Sequence, residues 1–164
     1  MGGCVYFDTS VFLAIFNGEP TAKGIRGLLR ELKREKARIY TSIITVQEVS
    51  VLSFRAGRVY DDNHAKVAKL ARLFTANREV ALTAAKLEAQ IIDQTTEKDQ
   101  VENRRRKWDC FHIATAMVLG CQYLYTIDDG MLRRKDQLRI KGISFLEPAP
   151  RSLDLFASEL PTVQ

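Results

Sequence analysis

Four acids in this chain stand where an apolar run gives way to a helical pattern or a turn: Asp8, Glu48, Asp109 and Asp128. Each has an ordinary explanation. Asp8 can cap a helix, and Thr45-Val46-Gln47-Glu48 fits a capping box. Asp109 can face the positive end of its helix, and Asp128-Asp129-Gly130 fits a turn. Taken together they suggest more, because all four fall at the same edge of a parallel sheet. Converging carboxylates repel unless something positive lies between them. An oxygen-only cluster suits a hard divalent cation, Mg²⁺ or Mn²⁺. Such an ion, when bound, activates water and neutralises charge developing on a phosphate. Two basic runs adjoin the acids: Arg104-Arg105-Arg106-Lys107 leads into Asp109, and Arg133-Arg134-Lys135 follows Asp128. They are placed to form a positive rim that holds a phosphodiester chain.

The elements that must position these residues follow from the pattern. Cys4-Val5-Tyr6-Phe7 reads as a short buried strand, and Val11 to Phe16 as an apolar helix start. Between them, Thr9 or Ser10 can cap the helix and leave Asp8 to point into the crevice. Thr21 to Lys36 is amphipathic, with Ile25, Leu28, Leu29 and Leu32 on one face. A second strand is expected at Arg38–Thr41, followed by a helix carrying Glu48. A further helix runs from Asp61 with Val67, Leu70, Leu73 and Phe74 facing inward, and Val80–Leu82 is short enough for a strand. A helix carrying Leu87, Ile91 and Ile92 comes next, and Asp93 to Lys107 reads as its end plus a mobile loop. Trp108 to Leu119 is a buried helix opened by Asp109. Strands at Tyr123–Ile127 and Ile143–Leu146 complete the pattern. Alternating strands and helices imply an α/β fold, a parallel sheet covered on both faces with right-handed crossovers. Residues 1–150 make one domain and 151–164 a tail.

At 164 residues, the chain can bury a core without disulfides. Three cysteines, Cys4, Cys110 and Cys121, lack metal-ligand spacing and are expected as free thiols of a cytoplasmic protein. Met1-Gly2-Gly3 is followed by no secretory pattern, and no apolar run is long enough to span a membrane. A net charge of +5 permits a polyanionic partner.

Four pieces together resemble the PIN-domain family, and most closely its VapC-type toxins. They are Phe7-Asp8-Thr9-Ser10-Val11-Phe12-Leu13, Thr45-Val46-Gln47-Glu48-Val49, Asp109-Cys110-Phe111-His112-Ile113-Ala114-Thr115-Ala116 and Tyr125-Thr126-Ile127-Asp128. The resemblance implies a three-layer α/β/α sandwich and an Mg²⁺- or Mn²⁺-dependent endoribonuclease. Asp8, Glu48, Asp109 and Asp128 match the family's acidic quartet, with Asp8 and Asp109 as direct metal ligands. Thr126 and Ser10 would orient water or a carboxylate. Arg104, Arg105, Arg106, Lys107, Arg133 and Arg134 would contact RNA. The family also implies a homodimer and a small antitoxin partner. A ribonuclease that works in RNA processing without an antitoxin, or a non-catalytic RNA-binding module, are the alternatives.

His112 lies one helical turn after Asp109 and reads as a core or supporting histidine. Trp108 could stack on a base but is expected to pack. Tyr6, Tyr123 and Tyr125 read as core. A phosphohydrolase with Asp8 as nucleophile would need a second Asp where Ser10 stands, and the first strand is followed by no Gly-rich dinucleotide loop.

Overall fold

The computed structural model describes residues 3–57, 62–92, 100–138 and 140–149. The expected tail, 151–164, and the first half of the expected loop, 93–99, lie outside the described residues.

Five parallel strands form the sheet: β1 (Cys4–Phe7), β2 (Arg38–Ser42), β3 (Arg72–Phe74), β4 (Tyr123–Tyr125) and β5 (Ser144–Leu146), in the order β3-β2-β1-β4-β5. The two-residue period of a strand divides its side chains between two layers. Val5, Phe7 and Tyr125 pack with α1 (Thr9–Asn17), α2 (Ala22–Arg34), α3 (Ile43–Arg55) and α4 (Asn63–Leu70). Cys4, Tyr6, Leu124 and Phe145 pack with α5 (Arg78–Ile92), α6 (Gln100–Val118) and α7 (Asp129–Leu138). The result is the expected α/β/α sandwich. Phe12, Ile25, Leu28 and Leu32 are fully buried, each contributing about 2 kcal/mol by removal from water.

Connections leaving β1 toward β2 and β3 run on one face; those serving β4 and β5 run on the other. Strand order therefore reverses between β1 and β4. The carboxyl ends of two such strands leave a crevice, the usual ligand position in open α/β sheets. Asp8 follows β1, and Thr126 and Asp128 follow β4.

Two elements differ from expectation. Val80–Leu82 lies inside α5, and the third strand is instead Arg72–Phe74. A helical period would have continued through Leu73 and Phe74. Their backbone pairs with Thr41 and Ser42 of β2, satisfying groups that α4 could not reach. Three residues are too few to display strand alternation. The second difference is α6, which begins at Gln100 rather than Trp108. Arg, Lys, Glu and Gln are good helix formers, and a polar stretch needs only a solvent-facing side to remain helical.

Candidate active site

Asp8 occupies the N-cap position of α1 with extended backbone, φ −79° and ψ 175°, yet its side chain makes no capping bond. Ser10 Oγ donates to Asp8 Oδ1 at 2.6 Å, and Thr126 Oγ1 donates to Oδ2 at 2.8 Å. The expected capping by Thr9 or Ser10 does not occur. Thr9 donates to Glu48, while Ser10 Oγ also accepts the Ile127 N–H at 3.0 Å. Both hydroxyls are thus committed to positioning acids. Thr126 is fully buried, and its oxygen also accepts the Asp128 N–H at 3.0 Å. One threonine therefore fixes Asp8 and the chain carrying Asp128.

Burial pushes the Asp8 carboxyl up; the His112 charge and the two hydroxyls pull it down, Asp128 adds to the rise, and the balance stays above the ordinary aspartate value. Asp109 is raised to about 6, chiefly by burial, with a further push from the Asp128 charge against the opposing pull of Arg134. It sits in the middle of α6 and does not open the helix, so the helix-dipole explanation falls away. Arg134 Nε donates to Asp109 Oδ2 at 3.3 Å and its Nη1 to Gln137 at 2.8 Å.

Glu48 lies in the second turn of α3. The capping box is absent: Ser42 Oγ accepts the Ile44 N–H at 3.2 Å, and Thr45 Oγ1 lies 2.8 Å from Thr41 Oγ1. Glu48 Oε2 instead meets Thr9 and His112 Nε2, the latter at 3.1 Å. Burial raises the Glu48 carboxyl, but the hydrogen bond and charge of His112, with Thr9, outweigh it and hold the acid below its ordinary value. Burial likewise lowers His112, and Glu48, Asp8 and Asp109 together reverse this and raise it.

Asp128 does cap a helix. Its Oδ1 accepts the Gly130 N–H at 2.6 Å and lies 3.4 Å from the Met131 nitrogen. A Cβ at position 130 would stand 2.8 Å from that oxygen, so a larger residue there would make the carboxylate shift. The capping and the chemical readings of Asp128 coexist: one oxygen caps, and the charge still reaches Asp8 and Asp109.

Above these residues opens a cavity of about 700 Å³. Glu48, Asp109, Asp128, Arg105 and Arg133 line it, with Trp108 and Ser10. The expected basic rim is only partly realised. Arg105 and Arg133 are exposed at the cavity, and Lys107 is exposed without lining it. Arg106 is buried and does not line the cavity, with Nε 3.9 Å from Glu88, whereas Arg134 is buried against Asp109 and still contributes to the cavity lining. The side chain of Arg104 lies outside the described residues. In a loop every arginine of the first run would reach solvent; on α6 successive residues point in different directions.

Two contributors went unread in the sequence. Tyr6 shares a 2.7 Å hydrogen bond with His112 Nδ1 and accepts the Ser42 N–H at 3.0 Å. A tyrosine rather than phenylalanine in a buried strand was the available signal, since a buried hydroxyl requires a partner. Glu19, in the turn after α1, also lines the cavity.

The side chains suit a divalent cation by donor type. All four acids offer hard oxygens, and each Asp8 oxygen keeps a lone pair beyond its hydroxyl bond. Among the described residues no three His, Cys, Asp or Glu side chains are gathered closely enough to hold a metal as they stand. The charge of Asp128 nevertheless raises both Asp8 and Asp109, a repulsion that a cation would relieve.

The PIN domain family matches residues 5–138. The chain belongs to the PIN-domain family. Its fold is similar to three solved structures. VapBC-1 from nontypeable Haemophilus influenzae aligns with a TM-score of 0.60 at 15% identity, covering 88% of this chain and 97% of that one. VapBC2 from Rickettsia felis, bound to a DNA fragment from its promoter, gives 0.62 at 14% identity, covering 87% and 98%. A toxin–antitoxin complex from Klebsiella pneumoniae gives 0.54 at 19% identity, covering 91% and 99%. A search of curated protein sequences finds no match. Among the described residues no helix is long and apolar enough to cross a membrane.

Proposed function

We propose that this chain is a divalent-metal-dependent endoribonuclease and the toxin of a toxin–antitoxin pair. The observation that carries the catalytic reading is the placing of Asp8 and Asp109 within reach of the Asp128 charge, which raises both, beside an open cavity edged by Arg105 and Arg133. Mg²⁺ or Mn²⁺, when bound, supplies the positive charge that activates water and stabilises the phosphate as it gains negative charge.

Asp8 and Asp109 are the residues to hold that ion, with Asp128 completing the negative field. Ser10 and Thr126 fix the Asp8 carboxylate, so its oxygens need no reorganisation when a cation arrives. Glu48 stays ionised at neutral pH and, held by His112 and Thr9, faces the cavity as an acceptor that can orient water. Arg105 and Arg133 neutralise the incoming phosphodiester, and Trp108 offers a ring for an unpaired base. Water attacks phosphorus in line, the P–O3′ bond breaks, and the products carry a 5′-phosphate and a 3′-hydroxyl.

The toxin reading is supported by the likeness in fold to the VapBC structures. It implies a small antitoxin and a homodimer. Incubating RNA with the protein and Mg²⁺ or Mn²⁺, with and without chelator, tests the enzyme; cyclic-phosphate product ends would contradict the mechanism. A short upstream reading frame encoding a DNA-binding fold, and rescue of growth by its co-expression, tests the toxin reading. Light scattering tests the dimer.

A further inference from the structure

The opposite end of the sheet carries a second cavity, about 840 Å³ in volume, between the C-terminal ends of α2 and α4 and the starts of β2 and β3. Among the described residues five cations line it, Lys33, Lys36, Arg38, Lys69 and Arg72, and no acid does. All five are exposed. Among the described residues none of them is in an ion pair. They come from separate parts of the chain, so folding rather than a charge run assembles the patch. Glu31 and Glu35, interspersed with Lys33 and Lys36 in sequence, are not part of the lining. The floor is apolar, including Ile39, Leu70 and Ala71.

Five like charges around one groove repel, and no acid among the described lining residues offsets that cost. A low-dielectric cleft lined by a single sign of charge concentrates the field and recruits a polyanion. The catalytic cavity differs, since Glu19, Glu48, Asp109, Asp128 and Asp129 mix there with Arg105, Arg133 and Arg134.

We propose that this groove is a second phosphodiester-backbone site, holding RNA away from the bond that is cut. The proposal rests on the ribonuclease reading for its ligand class. The strands are parallel, so the groove at their starts and Asp8 at their ends are separated by roughly 13 Å of strand at ~3.3 Å per residue. An RNA that engages both must be long or folded enough to wrap an edge of the domain. Among the described residues no aromatic side chain lines the groove, so it grips backbone rather than stacking bases, and its contribution is independent of sequence and sensitive to salt.

The test uses the full chain carrying Lys33→Gln, Lys69→Gln and Arg72→Gln together. Binding of a fluorescein-labelled RNA hairpin of about 40 nucleotides is followed by anisotropy in EDTA, across a KCl series. The variant is expected to bind roughly tenfold more weakly at moderate salt, with a log–log salt slope shallower by about 2. Its melting temperature should match wild type, because the replaced side chains are exposed and unpaired. Equal weakening on duplex DNA supports a site for backbone alone. Unchanged RNA affinity and slope overturn the proposal, including the case in which the groove serves an acidic protein segment. Charge reversal by Lys69→Glu gives a second reading of the same sign. Cleavage plays no part in this measurement, so failure of the groove and failure of the ribonuclease reading are separate results.

Discussion

His112 Nε2 and Glu48 Oε2 lie 3.1 Å apart, joining α6 to α3 across the end of the sheet. Tyr6 holds the other imidazole nitrogen. Both shifts fit a charged pair. His112 is raised above its ordinary 6.5, so its contribution to stability is complete below that value and fades as pH rises through the folded-state value. Glu48 is lowered from 4.5, so its contribution is complete above that value and fades as pH falls through the folded-state one. The pair therefore stabilises most between pH 4.5 and 6.5. His112→Gln should cost about 2 kcal/mol in that window and progressively less at alkaline pH, measured by urea denaturation against wild type. A cost that grows with pH would contradict the pairing.

Metal stabilisation should run the other way with pH. Asp109, raised to about 6, is largely protonated at pH 5.0, and the rise of Asp8 acts in the same direction. Mg²⁺ competes with those protons. The thermal shift produced by Mg²⁺ should be several degrees at pH 7.5 and near zero at pH 5.0. Equal shifts at the two pH values would show that the ion binds elsewhere.

Asp128 carries a capping role and a charge role that substitution can separate. Asparagine caps as well as aspartate, so Asp128→Asn should leave the melting temperature nearly unchanged while weakening Mg²⁺ binding. Removing that like charge should also lower the Asp109 titration point, which carbon-13 NMR of the carboxyl reads. Gly130→Ala should do the reverse. The added Cβ would stand 2.8 Å from Asp128 Oδ1, the cap is lost, and stability falls by about 1 kcal/mol.

Thr126→Val keeps the shape of the side chain and removes its hydroxyl. Asp8 then loses one of two donors and the Asp128 N–H its acceptor. A loss of about 2 kcal/mol is expected, together with a further rise in the Asp8 titration point. Thr126→Ser should restore both. A valine variant as stable as wild type would remove Thr126 from the positioning network.

The strands and the site were unequally legible. Asp8 was readable because a four-residue apolar strand ends directly before it. Glu48 and Asp128 were placed by similar junctions, although their hydrogen bonds were not. What the sequence hid was mostly long-range. Arg106 and Arg134 look like their neighbours in a basic run, and only helix phase and the positions of Glu88 and Asp109 turn them inward. The strand Arg72–Phe74 is fixed by pairing with β2, a partner some thirty residues away that local periodicity does not report. Tyr6 reads only as core because burial and hydrogen bonding are indistinguishable in a sequence pattern.

The central claim is that Asp8 serves as a ligand for a catalytic cation. Asp8→Asn keeps the size of the side chain; its single carbonyl oxygen can still accept one of the two hydroxyl bonds made by Ser10 and Thr126, and its amide N–H can donate to the other hydroxyl. Its cleavage of single-stranded RNA in Mn²⁺ should fall at least a hundredfold below wild type, with the same circular dichroism spectrum and a diminished Mn²⁺-induced thermal shift. Wild-type cleavage by Asp8→Asn, or wild-type activity that survives EDTA, would contradict the account.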